Sequence, residues 1–386
     1  MHNKVHYSNL ETLRGIAALM VAIAHSYNAI AFGGIDKPWD TPLWATPVEF
    51  EALSAGLILM FANGAAGVTI FFILSGVVLG LSLDFDKSRL PSRYGKFLIK
   101  RFFRIYPAHV VCLLILCTVL IVFGIVNPGT FEKSSMFYNW FYRTAPDARA
   151  IITNLMLKQT YLNSVTWSVK VEMIVALFFP VLHLVSRANN NRAPFVQLII
   201  LLLLIGLSIV NPGGGVVLPH VYKFYLGLLI PTYGMALAAF FKYKKLSIST
   251  PTIVTLSIVA ILVERQLVYG SYPGFGVIQA LGAAVLIYVL MQNSGGWLFR
   301  LKALKKLGQY SYSFYLWHFP ILWLMYYGLH TNLIFHGLIH SHAFALACVI
   351  CVISIFAAYL FALISYLAIE HRGIIFGRNV ATKFWS

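Results

Sequence analysis

Apolar runs of about 20 residues, the length that crosses a bilayer core as a helix, recur along the whole 386-residue chain, separated by shorter polar stretches. Ten such runs lie near residues 10–31, 64–83, 103–126, 168–187, 195–211, 221–241, 250–268, 275–293, 310–329 and 343–369. The run at 168–187 breaks the pattern, because Lys170 and Glu172 interrupt it. The expected fold class is therefore all-α: one polytopic membrane bundle of about ten transmembrane helices over 1–386, with no soluble domain at either end. Two connections are long. Residues 32–54 carry Asp36, Asp40, Glu49 and Glu51, and residues 127–166 are rich in aromatics, including Tyr138, Trp140, Tyr142 and Tyr161. These aromatics suit an interfacial belt or a surface on which a sugar ring stacks.

Composition strengthens the membrane reading. The chain is 59% hydrophobic and 11% charged, against about 25% charged in soluble domains. The formal charge of +17 raises nucleic acid as a partner, but the cations sit in clusters between apolar runs, as the positive-inside rule requires. Of the 29 Lys and Arg, 21 fall on the side that holds both termini and the connections after even-numbered runs. They include Lys4, Lys87, Arg89, Arg187, Arg192, Lys244 and Lys245. The bias predicts an even number of spans with both termini cytoplasmic, and it excludes nucleic acid. The first apolar run lacks a basic leader and a small-residue cleavage site, so no cleavable signal peptide is expected. Cys348 and Cys351 have redox spacing, yet within an apolar run they read as packing.

Polar residues inside apolar runs are the candidate chemistry, because an ionisable group in a membrane is costly and is a functional candidate by default. Arg14 and His25 are eleven positions apart. At ~100° and ~1.5 Å per residue they fall about 20° apart around one helix and about 16 Å apart along it. His25 is either a satisfied packing group or a functional one. In the stretch Lys100-Arg101-Phe-Phe-Arg104-Ile-Tyr-Pro107, Arg101 and Arg104 are helical neighbours. They form either a positive-inside anchor or a phosphate clamp, since guanidinium forks match phosphate oxygens. Trp167, Ser168 and Glu172 open the fourth run. Glu172 wants a cation or a hydrogen bond, for which Arg14 or His25 is a candidate, and a structural ion pair is the alternative. Ser75 and Gly76 permit close helix approach. Ser311, Tyr315 and His318 share a face too polar for lipid. His330, His336, His340 and His342 flank a connection without a Cys or acidic companion nearby. A zinc site needs about four convergent ligands, so no metal is expected.

Together these motifs resemble the acyltransferase-3 family of integral membrane acyltransferases. The resemblance rests on Leu13-Arg14-Gly15 with His25, on Phe71-Phe72 with Ser75-Gly76, and on Arg101-x-x-Arg104-Ile-x-Pro107. Trp167-Ser168 with Glu172, and Ser311-Tyr312-Ser313 with His318 and Pro320, complete it. The motifs run in order through nearly the whole chain. Two departures stand out: Lys100-Arg101 replaces Arg-Arg, and Glu370 is followed by His371-Arg372 instead of a basic residue and Pro. The extra periplasmic hydrolase-like domain of some members is not expected.

The resemblance implies a bundle of about ten helices in a bacterial inner membrane. It implies transfer of an acyl group, most often acetyl from acetyl-CoA, to a hydroxyl of a carbohydrate such as lipopolysaccharide O-antigen, exopolysaccharide, peptidoglycan or a glycolipid. On that reading the catalytic group is His25, Glu172 and Arg14. Lys100, Arg101, Arg104 and Ser75 hold the acyl-CoA donor substrate, and no cofactor is permanently bound. Trp167, Ser168, Tyr315 and His318 are acceptor-side or structural. His25 would act as general base with Glu172 orienting it as in a triad, or would carry the acyl group covalently. The rival reading is a carrier or flippase for a lipid-linked sugar, which explains the helices and the buried charges but needs no arginine pair.

Overall fold

The computed structural model describes residues 7–82, 90–186, 193–210, 216–243, 248–267, 276–292 and 296–384. It is 82% helix, with no strand among the described residues. A lone antiparallel bridge joins Ile30 and Ser134. The helices are α1 (Ser8–Tyr27), α2 (Phe50–Phe61), α3 (Gly64–Ser82), α4 (Leu90–Val122), α5 (Met136–Asn139), α6 (Ala148–Leu155), α7 (Thr166–Ser186) and α8 (Ala193–Val210). They continue as α9 (Val221–Tyr243), α10 (Thr250–Leu267), α11 (Gly276–Met291), α12 (Lys302–Gln309), α13 (Ser311–Thr331), α14 (Leu333–Ser341), α15 (Ala343–Ser365) and α16 (His371–Phe384), with a π-helical turn at Tyr366–Glu370 between the last two.

Each of the ten expected apolar runs falls on a long helix: α1, α3, α4, α7, α8, α9, α10, α11, α13 and α15. Among the described residues, six helical stretches are long and apolar enough to cross a membrane; they contain α3, α4, α7, α8, α10 and α15. The chain is a multi-pass integral membrane protein. Helix α11 is apolar but only 16 residues long. Helices α1, α9 and α13 are not among the six; α1 carries Glu11, Arg14 and His25, and α13 carries Ser311, Ser313 and His318. Span ends near 83, 187, 211, 268, 275 and 293 lie outside the described residues, as do Lys4, Lys87, Arg89, Arg187, Arg192, Lys244 and Lys245 of the charge count.

The structure departs from the expected connections in six places, two of them the short helices α12 and α14 between expected runs. Helix α4 begins at Leu90, so the basic stretch ahead of residue 103 is helical and Arg101 and Arg104 lie inside the helix, not at its end. The 32–54 connection runs into α2, the 127–166 connection holds α5 and α6, and the tail after the last run is α16. These are short or strongly amphipathic helices. A search for 20-residue apolar runs passes over them.

Two contacts set the bundle's geometry. Helices α3 and α9 cross where a methyl group on Gly76 would strike the Phe224 carbonyl and the Gly227 Cα, so the expected close approach at Ser75-Gly76 is met by a glycine on the partner. Helix α12 packs on α1 through Gly308, which faces the Glu11 carbonyl. One end of the bundle collects the start of α1, the start of α4, α12 and α16, and is called the basic end below. The far end collects the segment after α1, α2, α5, α6 and the end of α10. There Arg265 donates to the carbonyls of Leu59, Pro38 (2.6 Å) and Thr41 (3.3 Å). Gln266 accepts from the Leu43 amide at 2.7 Å. The connection carrying Trp39 and Asp40 is thereby pinned over the bundle.

Candidate active site

Three adjoining cavities run between the basic end and the far end. The first, a vestibule, is lined by seven cations (Arg14, Arg93, Lys96, Lys100, Arg101, Arg104, Arg378) and two carboxylates, Glu11 and Glu370. The second, a middle cavity, holds Arg14, Ser75, Arg101, Arg104, Ser168, Glu172, Ser311 and Tyr315, set among Phe71, Phe72 and other apolar groups. The third, a far chamber, holds His25, Asn28, Trp39, Asp40, Asn63, Phe137, Trp167 and Arg265. Arg14, Val78, Arg101 and Arg104 line both vestibule and middle cavity. Val68 and Tyr315 line both middle cavity and far chamber.

The middle cavity is organised by Glu172 of α7. Its carboxylate forms an ion pair with Arg101 of α4, and the same oxygen accepts a hydrogen bond from Ser75 of α3 at 2.7 Å. One carboxylate thus ties three helices together. The expected partners of Glu172 need correction. It lies within electrostatic reach of Arg14, but its direct partners are Arg101 and Ser75, and it makes no contact with His25 among the described residues. Spacing on a single helix could not reveal this, since the partner comes from a different helix. Tyr315 of α13 and Ser168 of α7 are hydrogen-bonded through their hydroxyls at 2.9 Å. That bond stands where the middle cavity meets the chamber. The loop before α7 is fixed to α13 by Asn163, which donates to the Leu316 carbonyl at 3.0 Å. On the vestibule side, Ser313 donates to the buried Glu370 at 2.7 Å; Glu370 ends the π-helical turn, a distortion frequent at functional sites.

His25 meets His318, not Glu172. Nδ1 of His25 lies 2.9 Å from Nε2 of His318. The two rings are 10° from coplanar with centroids 5.1 Å apart, so the bond runs within the plane of both rings, where lone pair and N–H point. Phe137 stacks on His25 at 5.3 Å, and Phe319 closes on it edge-on at 5.6 Å. Phe137 is held in place because Ser135 bonds the segment after α1: its amide donates to Ala29 and its hydroxyl to Asn28. His318 is 3% exposed, whereas the half-buried His25 opens to the chamber.

The structure gathers all the expected site residues along this one path. Arg14 and His25 lie on cavity-facing positions of α1 but in different compartments, Arg14 toward the basic end and His25 at the far end. Lys100 lines the vestibule. Trp167 lines the chamber and packs edge-on against Phe72 at 6.0 Å. Sequence reasoning missed Asn28, Trp39, Asp40, Asn63, Phe137 and Arg265 on the chamber wall. Arg265 comes from the end of α10, and the others come mostly from connections whose folding no periodicity reveals. Among the described residues, no group of three or more His, Cys, Asp or Glu side chains is placed to hold a metal ion. His340 pairs with Glu132 at 3.0 Å and His330 with Ser134 at 2.7 Å, and the side chain of His336 lies outside the described residues. Glu132 is thus an acidic companion that the sequence reading overlooked. All four cysteines are free, with Cys348 beside the Tyr27 hydroxyl at 3.1 Å.

A family model for the acyltransferase domain, type 3, matches residues 7–363. The chain belongs to this acyltransferase family. The match spans every helix that lines the middle cavity and the chamber. The family makes the chain a membrane acyltransferase, working on an acyl donor and an acceptor at a lipid bilayer. Comparison with curated proteins and with solved structures gives no match.

Proposed function

We propose that this acyltransferase moves an acyl group, in the simplest case acetyl, from cytoplasmic acyl-CoA to a hydroxyl of a cell-surface or lipid-linked carbohydrate. The reading takes all ten long helices as spans of a bacterial inner membrane with both termini cytoplasmic, so that the basic vestibule faces the cytoplasm and the far chamber faces outward. The observation that carries it is the continuity of the three cavities: a cationic mouth, a middle cavity whose polar wall is Arg14, Arg101, Ser75 and Glu172, and a chamber containing a basic side chain.

Coenzyme A is polyanionic at one end and carries a slender arm ending in the thioester. Phosphates suit the vestibule, where Lys100, Arg101 and Arg104 supply forks and point charges. The arm suits the middle cavity, whose lining is largely apolar with the Ser75 and Tyr315 hydroxyls along it. The thioester then comes to the junction at Tyr315, next to His25. Aromatic Trp39, Phe137 and Trp167 with polar Asn28, Asp40 and Asn63 suit an acceptor sugar, which stacks its ring faces and spends its hydroxyls on hydrogen bonds.

In the reaction His25 takes the proton of the acceptor hydroxyl as the oxygen attacks the thioester carbonyl carbon. The C–S bond breaks, and the departing thiolate takes the proton from the imidazolium, leaving an ester and free CoA. General-base catalysis of this kind contributes about 10²–10⁴-fold. His25→Ala in membranes supplied with radiolabelled acetyl-CoA is expected to lower label transfer to the glycan fraction by at least about 100-fold. A normally accumulating His25→Ala protein that transfers label at the wild-type rate would remove His25 from the mechanism.

A further inference from the structure

We infer that His318 is the positioning residue that makes His25 a base, by holding it in one tautomer with Nε2 bare toward the chamber. The inference rests on the proposed role of His25 and goes beyond it, because it assigns the proton to a particular nitrogen and names the group that keeps it there.

The two rings share one hydrogen bond, Nδ1 of His25 to Nε2 of His318, at 2.9 Å. One nitrogen donates and the other accepts, and a neutral imidazole has a single N–H to give. Which ring donates is set by what the remaining nitrogen of each one meets. The remaining nitrogen of His318, Nδ1, is buried and has no close hydrogen-bond partner among the described residues; because Nε2 is taken by His25, Nδ1 is the nitrogen left to meet the carbonyls of Phe314 and Tyr315, which act on the ring from one turn back in α13. A bare nitrogen facing carbonyl oxygens sets lone pair against lone pair. An N–H there faces acceptors. His318 therefore carries its proton on Nδ1, and its Nε2 is left to accept. His25 then donates from Nδ1, and its Nε2 has a free lone pair.

The opposite assignment would protonate His25 on Nε2 and present the acceptor hydroxyl with a donor instead of a base. The bond also fixes the ring's direction, since the rings are coplanar to 10° and Phe137 bears on the His25 face. His318 thus fills the orienting role that a carboxylate fills in a serine hydrolase triad. A neutral partner suits this position, because the carboxylates on the middle-cavity and chamber walls are engaged elsewhere: Glu172 by Arg101 and Ser75, and Asp40 within electrostatic reach of Arg265.

The test compares two substitutions at one position. Gln at 318 can set its side-chain oxygen where Nε2 now accepts, whereas Met fills similar volume and accepts poorly. In membranes supplied with radiolabelled acetyl-CoA, His318→Met is expected to lower label transfer to the glycan fraction by about 100-fold or more. His318→Gln is expected to retain activity within about tenfold of wild type, and both variants should bind acetyl-CoA with wild-type affinity, since the donor groups lie elsewhere. Wild-type turnover in His318→Met overturns the inference. So does equally low turnover in Gln and Met variants that both keep donor affinity. If the Met variant does not accumulate, His318→Asn, whose oxygen falls short of the Nε2 position, takes its place, and activity equal to that of the Gln variant overturns the inference. His25→Ala run alongside separates the two levels. Normal transfer by that variant sinks the role of His25 itself, whereas a dead His25→Ala beside a normal His318→Met sinks only the positioning role.

Discussion

Two buried polar networks cross this bundle, and they differ in what surrounds them. The first joins α3, α4 and α7 through Ser75, Arg101 and Glu172. The second joins α3, α9, α10 and α11: Lys223 donates to Thr69 at 3.1 Å, Thr69 to the side-chain oxygen of Gln279 at 3.0 Å, and the Gln279 amide to Glu264 at 2.8 Å. Their cations are equally hidden, Arg101 at 8% exposure and Lys223 at 7%. Yet Arg101 and Glu172 line the middle cavity, whereas none of the four residues of the second network lines the vestibule, the middle cavity or the chamber. Glu264 also has a structural task, since it meets an amide in the first turn of α11, where the helix dipole favours a negative charge. A charged residue inside a membrane bundle is therefore not by itself a mark of chemistry. Access to a cavity is what separates a group that can meet a substrate from one that holds helices together.

The comparison is broken most forcefully at Lys223. Lys223 lies within electrostatic reach of Glu264 and is linked to it through Thr69 and Gln279. Removing one partner of a direct buried pair costs about 3–5 kcal/mol because the other charge stays behind, which sets the upper bound here. Lys223→Met is expected to lower the thermal stability of the detergent-solubilised protein by up to that order. Lys223→Met combined with Glu264→Gln should recover most of the loss. The folded fraction of either should bind acetyl-CoA as wild type does, measured by equilibrium binding of the labelled donor. A stable Lys223→Met protein with weakened donor binding would move the second network into the functional path.

Arg101 sharpens the contrast from the other side. Hydrogen bonds to charged groups contribute about 1.5–3 kcal/mol, so loss of the guanidinium in Arg101→Met is expected to weaken acetyl-CoA binding by about 10- to 100-fold. It also strands Glu172, but beside a cavity that admits water, so the stability loss should be smaller than for Lys223→Met. The double variant Arg101→Met, Glu172→Gln separates the two effects: stability returns and affinity does not. Recovery of affinity in the double variant would mean that Arg101 acts only as a helix tie.

The difference between the networks also marks how far the sequence could be read. The ten helical segments were legible because each buries or exposes about 20 apolar residues in a row, a signal that needs no partner. Arg14, Arg101 and Glu172 were legible as intruders for the same reason. Their partners were not. Glu172 was expected near Arg14 or His25, but its direct partners come from α4 and α3, and contacts between helices distant in sequence leave no periodicity. His318 was legible as a polar residue on α13 but not as the partner of a residue 293 positions earlier. The chamber wall was least legible, since the connection carrying Trp39 and Asp40 is held by Arg265, which bonds the Pro38 and Thr41 carbonyls 227 and 224 positions earlier.

The smallest expected effect tests the contrast most directly, because it compares two hydroxyls with equivalent tasks. Ser75 donates to the carboxylate oxygen that also pairs with Arg101, at 2.7 Å. Thr69 stands between Lys223 and Gln279 at 3.1 and 3.0 Å. Deleting either hydroxyl removes a hydrogen bond worth about 0.5–1.5 kcal/mol where water can take its place, and about 1–3 kcal/mol where a buried partner is left unsatisfied. Ser75→Ala opens onto the middle cavity, so its cost to thermal stability should fall in the lower range. Thr69→Val keeps the shape and removes the oxygen at a residue 1% exposed, away from the cavities described, so its cost should fall in the higher range. In acetyl-CoA binding the order reverses. Ser75→Ala should weaken affinity a few-fold by loosening Glu172 and Arg101, and Thr69→Val should leave it unchanged. Equal losses of stability in the two variants, with equal affinities, would mean that the two networks do one structural job and that cavity access does not distinguish them.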